Sequence, residues 1–152
     1  MLNLLLVVDL QPAFKLEPYY SKLLDYIDEH RHEYDIVAAT LFQNTEDSQF
    51  VRLCNYRETM DLESLDFKPD MVISKSTYGI GEKWCGYFDK LLANITVIGC
   101  DTDACVLSTC YDLFNNNNRF RVLTDYCYST GGEACHKIGV SIMERNFGKA
   151  VV

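Results

Sequence analysis

Four short apolar runs set the strongest limit on how this chain can fold: Leu4–Val8, Ile36–Leu41, Ile95–Gly99 and Phe120–Leu123. A fifth and shorter run, Met71–Ile73, follows Pro69-Asp70. Each is too short for a stable helix and rich in valine, isoleucine and leucine. Runs of this kind suit strands buried on both faces, as in a parallel sheet. Helical spacing fills the intervals. Tyr20, Leu23, Leu24 and Ile27 share a stripe within 20–32, and Trp84, Tyr87, Phe88, Leu91 and Leu92 do so within 83–92. The segments 104–114 and 132–145 repeat the pattern. Alternating strands and helices predict an α/β fold of three layers, α/β/α, with a doubly wound, mostly parallel sheet of five or six strands. The sixth is a short edge strand expected at Ala150–Val152.

Two stretches are irregular. Residues 43–69 are polar except for a patch at Phe50–Leu53, which predicts a short helix. Asn115–Asn118 suits a helix stop and turn. With 152 residues and no repeat or linker, a single domain over 1–152 is expected. The net charge of -8 gives no general attraction for nucleic acid or an anionic membrane. The N-terminal apolar run has no basic flank and ends at Asp9, unlike a signal peptide or membrane span. The seven cysteines are odd in number and contain no C-x-x-C pair. These features lead us to expect a cytoplasmic protein with free thiols.

Ligands of open α/β sheets bind beyond the carboxyl ends of the strands. Asp9 follows the first predicted strand, Lys75 the Met71–Ile73 strand, and Gly99-Cys-Asp-Thr-Asp-Ala-Cys105 the Ile95–Ile98 strand. Taken singly, the Asp is an ordinary turn or cap residue, the Lys a solvated one and the Cys a core filler. Together they place an acid, a base and a thiol on one sheet edge. Cys105 falls in the first turn of a predicted helix, whose positive end and whose neighbour Lys75 are expected to lower the thiol pKa. Asp9 is placed to receive the thiol proton and return it to a leaving group. Backbone N–H groups of the strand-to-helix turn are placed to hold an oxyanion.

Four segments carry a family resemblance: Leu6-Val-Val-Asp-Leu-Gln11, Ile73-Ser-Lys-Ser-Thr-Tyr-Gly79, Val97-Ile-Gly-Cys-Asp-Thr-Asp-Ala-Cys-Val106 and Val122-Leu-Thr-Asp-Tyr-Cys-Tyr-Ser129. They resemble the isochorismatase-like cysteine hydrolases, which include nicotinamidases, N-carbamoylsarcosine amidases and ureidoacrylate amidases. The resemblance implies a catalytic triad of Asp9, Lys75 and Cys105 and a cis peptide bond between Cys100 and Asp101. It also implies an oxyanion hole from the N–H groups of Asp101 and Cys105, and cleavage of a small amide or related C–N bond through a thioester. It favours a homodimer or larger assembly.

The sequence departs from the metal-binding nicotinamidases, which carry Asp-x-His after the second strand. Here Thr40-Leu-Phe-Gln-Asn-Thr45 stands there, and no His occurs between 33 and 135. We therefore expect no metal and no cofactor, and nicotinamide becomes a weaker substrate candidate. His30, His32 and His136 read as solvated. Phe14, Phe42, Asn44, Tyr78 and Trp84 are candidates for lining a substrate pocket, with core or subunit-interface packing as the competing reading. Two other functions compete with hydrolysis. One is a catalytically silent binding or scaffold protein, against which the intact triad speaks. The other is a phospho-receiver domain, which needs an acceptor Asp after the third strand, where Lys75 stands.

Overall fold

The apolar runs pair into one sheet. In the computed structural model, which describes residues 1–152, five strands run parallel in the order β3-β2-β1-β4-β5. They are β1 (Leu2–Val8), β2 (Ile36–Phe42), β3 (Met71–Lys75), β4 (Ala93–Cys100) and β5 (Arg119–Tyr128). Five helices join or flank them: α1 (Tyr19–His30), α2 (Gln49–Cys54), α3 (Gly81–Lys90), α4 (Cys105–Asn115) and α5 (Glu133–Phe147).

Strand alternation sends side chains to both faces, and each face meets helices. Leu4, Leu6 and Val8 of β1 pack in one core with Phe88 of α3, Val106 and Leu113 of α4, and Met143 of α5. Leu5 and Val7 face the other way, onto Tyr20, Leu23 and Ile27 of α1. Right-handed crossovers leading outward from β1 and from β4 run in opposite directions, which puts their helices on opposite faces. The strand order therefore reverses between β1 and β4. The carboxyl ends of this pair flank the crevice where open α/β sheets bind ligands.

Two differences from the sequence reading have physical causes. Residues 150–152 form no sixth strand: a 3₁₀ turn takes up Gly148–Ala150, and Val151 makes one isolated parallel bridge to Val122. β5 is longer than Phe120–Leu123 because it lies at the sheet edge. Its ten residues mix exposed and buried positions, so an apolar run marks only its middle.

β4 approaches β1 closely at its carboxyl end. The ladder is irregular between Val97 and Gly99, and Gly99 has φ +132°. A Cβ there would sit 2.2 Å from the Val8 carbonyl oxygen, so only glycine fits. No helix of the protein is long and apolar enough to cross a membrane.

Candidate active site

The carboxyl edge gathers the three residues singled out from the sequence. β1 ends at Val8, and Asp9 turns the chain away with φ +49°, a left-handed conformation that Asp tolerates. Thr40 of β2 holds this turn: its hydroxyl accepts from the Asp9 N–H at 2.9 Å and donates to Asp9 Oδ1 at 2.5 Å. The other carboxylate oxygen meets Lys75 Nζ at 2.8 Å. Lys75 is the last residue of β3 rather than the residue two past the predicted run. Its remaining donors go to the carbonyls of Thr77 at 2.8 Å and Tyr78 at 3.1 Å. Both residues are buried, so the ion pair sits where an unpartnered charge would be costly.

Cys105 is the first residue of α4 and is partly buried. The lowered pKa expected from the helix terminus and Lys75 is not what the structure shows. Burial pushes the Cys105 thiol up, the Asp9 carboxylate raises it further, and Lys75 opposes without prevailing. The resting thiol is therefore protonated and lies under the influence of a carboxylate that can take its proton.

The turn before α4 begins with the Cys100–Asp101 peptide bond, which is cis. The Asp101 carboxylate accepts from the Thr130 N–H at 2.8 Å and its hydroxyl at 2.6 Å. Burial raises the Asp101 pKa, and the Thr130 hydrogen bonds oppose it. From behind, α5 supports the turn. A Cβ on Gly139 would lie 2.9 Å from the Asp103 nitrogen and the Thr102 carbonyl, which shows how closely the helix packs. His136 is not simply solvated, as its position in the sequence suggested, since its Nδ1 lies 2.7 Å from Thr102 Oγ1.

A cavity of about 270 Å³ opens onto Asp9, Asp101 and Cys105. Phe14, Phe42 and Tyr78 line it, as expected from their positions near active-edge loops. Asn44 and Trp84 do not. Asn44 is buried, but its side chain closes the loop behind the cavity: Nδ2 donates to the carbonyls of Tyr56 and Glu58, and Oδ1 accepts from Ser48 Oγ at 2.5 Å. Trp84 lies away from the edge, edge-on to Tyr87 with ring centres 5.9 Å apart, because α3 turns Cys85 and Phe88 to the core instead.

The sequence reading missed Phe50, Cys54 and Tyr56, which also line the cavity. Phe50 and Cys54 lie on or beside the one apolar patch in the irregular stretch, which was a signal for a helix but not for where that helix points. Two carboxylates fasten this stretch. Glu63 accepts from Gln11 Nε2 and the Ala13 N–H, and Asp66 accepts from the Tyr20 hydroxyl at 2.7 Å. No three His, Cys, Asp or Glu side chains are grouped to hold a metal ion.

Comparisons with known proteins place this geometry. The model of the isochorismatase domain matches residues 3–151. Among solved structures, the chain is similar to a nicotinamidase from Bacillus subtilis, with a TM-score of 0.80, 16% identity and coverage of 100% and 99% of the two chains. An isochorismatase-like hydrolase from Alkaliphilus metalliredigens gives a TM-score of 0.79 at 17% identity, covering 95% of this chain and 92% of that one. N-carbamoylsarcosine amidase from Thermoplasma acidophilum gives 0.77 at 19% identity, covering 99% and 95%. At these identities the structural likeness speaks for the fold. A comparison with curated protein sequences gives no match.

Proposed function

The chain belongs to the isochorismatase domain family, and from that membership we propose that it is a cysteine hydrolase that cleaves a small amide or related C–N bond. The observation that carries the reading is the convergence of Asp9, paired to Lys75, and Cys105 on one small cavity at the strand-order reversal. A buried ion pair beside a thiol at the first turn of a helix favours this reading over a catalytically silent binding protein.

In this reading the Asp9 carboxylate takes the Cys105 proton as sulfur attacks the substrate carbonyl, so the thiolate forms during attack rather than beforehand. The tetrahedral oxyanion is held by the N–H groups of Asp101 and Cys105. Asp9 then protonates the departing nitrogen, which leaves as ammonia or an amine, and a thioester remains on Cys105. Water enters, gives a proton to Asp9 and attacks the thioester. The acid leaves, and the proton returns to sulfur. Lys75 stays charged throughout, offsetting Asp9 in the resting site and the thiolate during attack. The residues present do not suit a metal, and no step needs one.

A cytoplasmic location and a homodimer or larger assembly belong with this reading. The seven free thiols support the first, and the exposed Tyr111, Phe114, Ile138 and Ile142 on α4 and α5 support the second.

The test is a panel of small amides assayed for ammonia release, with mass spectrometry of the quenched protein. Turnover with an acyl group trapped on Cys105, and loss of turnover by at least about 10³-fold in Cys105→Ala, are expected. Full activity in Cys105→Ala would remove covalent catalysis at this residue.

A further inference from the structure

The cavity has a charge character that bears on what it admits. Five aromatic side chains form its walls: Phe14, Phe42, Phe50, Tyr56 and Tyr78. They form a contiguous set. Phe42 packs edge-on to Phe50 with centres 4.9 Å apart and lies 6.1 Å from Phe14 and 6.4 Å from Tyr56, while Phe50 meets Tyr78 at 4.8 Å. The ionisable carboxyls among the lining residues are Asp9 and Asp101, and no Arg, Lys or His joins them.

Lys75 lies beside the cavity, with its ammonium 5.5 Å from the centre of the Phe42 ring. Its ammonium has three N–H donors, and all three are used on Asp9 and the carbonyls of Thr77 and Tyr78. It therefore has no donor left for a substrate carboxylate. More acids stand behind the walls. The Tyr56 phenol pKa is raised by burial, a hydrogen bond with Thr59 opposes it, and Glu58, Glu63 and Asp101 add smaller upward pushes. The Tyr78 phenol is likewise raised, first by burial, with Asp101 and Asp103 among the lesser causes. Lys75 offsets the Asp9 carboxylate, which leaves the Asp101 carboxylate as the net negative charge of the lining, in a chain whose net charge is already -8.

Aromatic faces and a negative field attract the same kind of group. Phe42 already faces the Lys75 ammonium, and the negative faces of Phe14, Phe50, Tyr56 and Tyr78 favour a further cation, most strongly one with a thin hydration shell, such as an alkylated ammonium or pyridinium. A carboxylate would lose its hydration shell here and gain no cationic partner. The volume of about 270 Å³ lies just below the range of drug-sized pockets and suits a single substituted ring.

We propose that this site selects amides whose acyl group carries a positive charge, an alkylammonium or N-alkylpyridinium group, and turns away acyl groups carrying a carboxylate. This rests on the hydrolase reading for where the amide sits, but the selection itself is a property of binding. It separates the chain from any relative whose substrate is a carbamoyl amino acid, which is anionic.

The experiment uses three matched probes: N-methylpyridinium carboxamide, pyridine carboxamide and carboxybenzamide, all meta-substituted. Binding to the full-length Cys105→Ala protein is measured by calorimetry, which needs no turnover. The cation is expected to bind about three- to thirtyfold tighter than the neutral ring, and the anion at least about tenfold weaker than the neutral ring. Added salt should narrow both gaps. Tyr56→Leu and, as a companion that keeps Tyr56, Phe50→Leu should each reduce the cation's advantage while changing the neutral affinity less. Equal affinities, a preference for the anion, or no saturable binding of the cation would overturn the proposal. Turnover of the same probes by the unmodified protein separates the two ideas. Cation binding without ammonia release sinks the hydrolase reading and leaves the charge selection standing. A protein that binds and hydrolyses the neutral ring best keeps the hydrolase reading and overturns the selection.

Discussion

The strand ends and the segment between β2 and β3 build opposite sides of the same cavity by different means. Asp9 and Lys75 are placed by backbone register: β1 pairs with β2, β2 pairs with β3, and the side chains at their ends meet as a consequence. The walls from Phe50, Cys54 and Tyr56 come from a segment in which α2 is the only helix or strand. Side-chain hydrogen bonds from Asn44, Glu63 and Asp66 hold it. The difference teaches where each property resides. In the proposed hydrolase the groups that would react are held by the sheet, and the groups that would select the substrate are held by a surface segment.

Breaking the strand-end side should have the largest effect. Lys75→Met leaves the Asp9 carboxylate buried beside Thr40 without its cation. The expected cost is about 3–5 kcal/mol in urea unfolding, together with loss of turnover. Adding Asp9→Asn to Lys75→Met removes the stranded charge and keeps the contact with Thr40. That double variant should regain stability but not activity. If Lys75→Met unfolds at the midpoint of the unmodified protein, the pair is not holding the edge.

The same kind of cut on the other side should be smaller and of a different kind. Asn44→Ala removes the donors to the Tyr56 and Glu58 carbonyls and the acceptor of the Ser48 hydroxyl. About 1–3 kcal/mol is expected, expressed as a raised KM and faster proteolysis within 45–65, with kcat changing less. An equal fall in kcat and kcat/KM, with KM unmoved, would place Asn44 in the chemistry rather than behind it.

The smallest contrast compares one thiol from each side. Cys105 and the exposed Cys54 open onto one cavity, and burial and Asp9 raise the pKa of Cys105. A thiol whose pKa is raised keeps its proton as the pH climbs past the ordinary thiol range. Iodoacetamide at mildly acid pH should therefore label Cys105 no faster than Cys54, and the Cys105 rate should still be climbing above pH 9. A Cys105 rate that levels off below pH 7 would show a preformed thiolate and restore the depressed pKa expected from the helix terminus.

This division also explains how much could be read from the chain alone. Leu4–Val8 and Ile95–Gly99 announce strands, and residues just past the end of a parallel strand lie at the carboxyl edge. Asp9, Lys75 and the approach to Cys105 could therefore be placed without coordinates. The sheet and its helices emerged from the same patterns, and the family from the resemblance of four segments, Leu6–Gln11, Ile73–Gly79, Val97–Val106 and Val122–Ser129. Phe50 and Tyr56 could not be placed, because no periodicity governs where an irregular segment turns its side chains. Asn44 was misjudged for the same reason: its position after β2 suggested the pocket, while its amide was committed to distant carbonyls. The direction of the Cys105 pKa shift depended on burial against Asp9, a three-dimensional quantity that the helix terminus alone does not report.

The fastening of residues 43–69 by a few side-chain bonds has a consequence for engineering. A segment joined to its scaffold at so few points behaves like an exchangeable cassette. Replacing it, provided Gln11 and Tyr20 still find their carboxylates, should alter which acyl group is admitted while the bond-cleaving apparatus is inherited unchanged. The edge and the segment that covers it are therefore two separate targets for redesign.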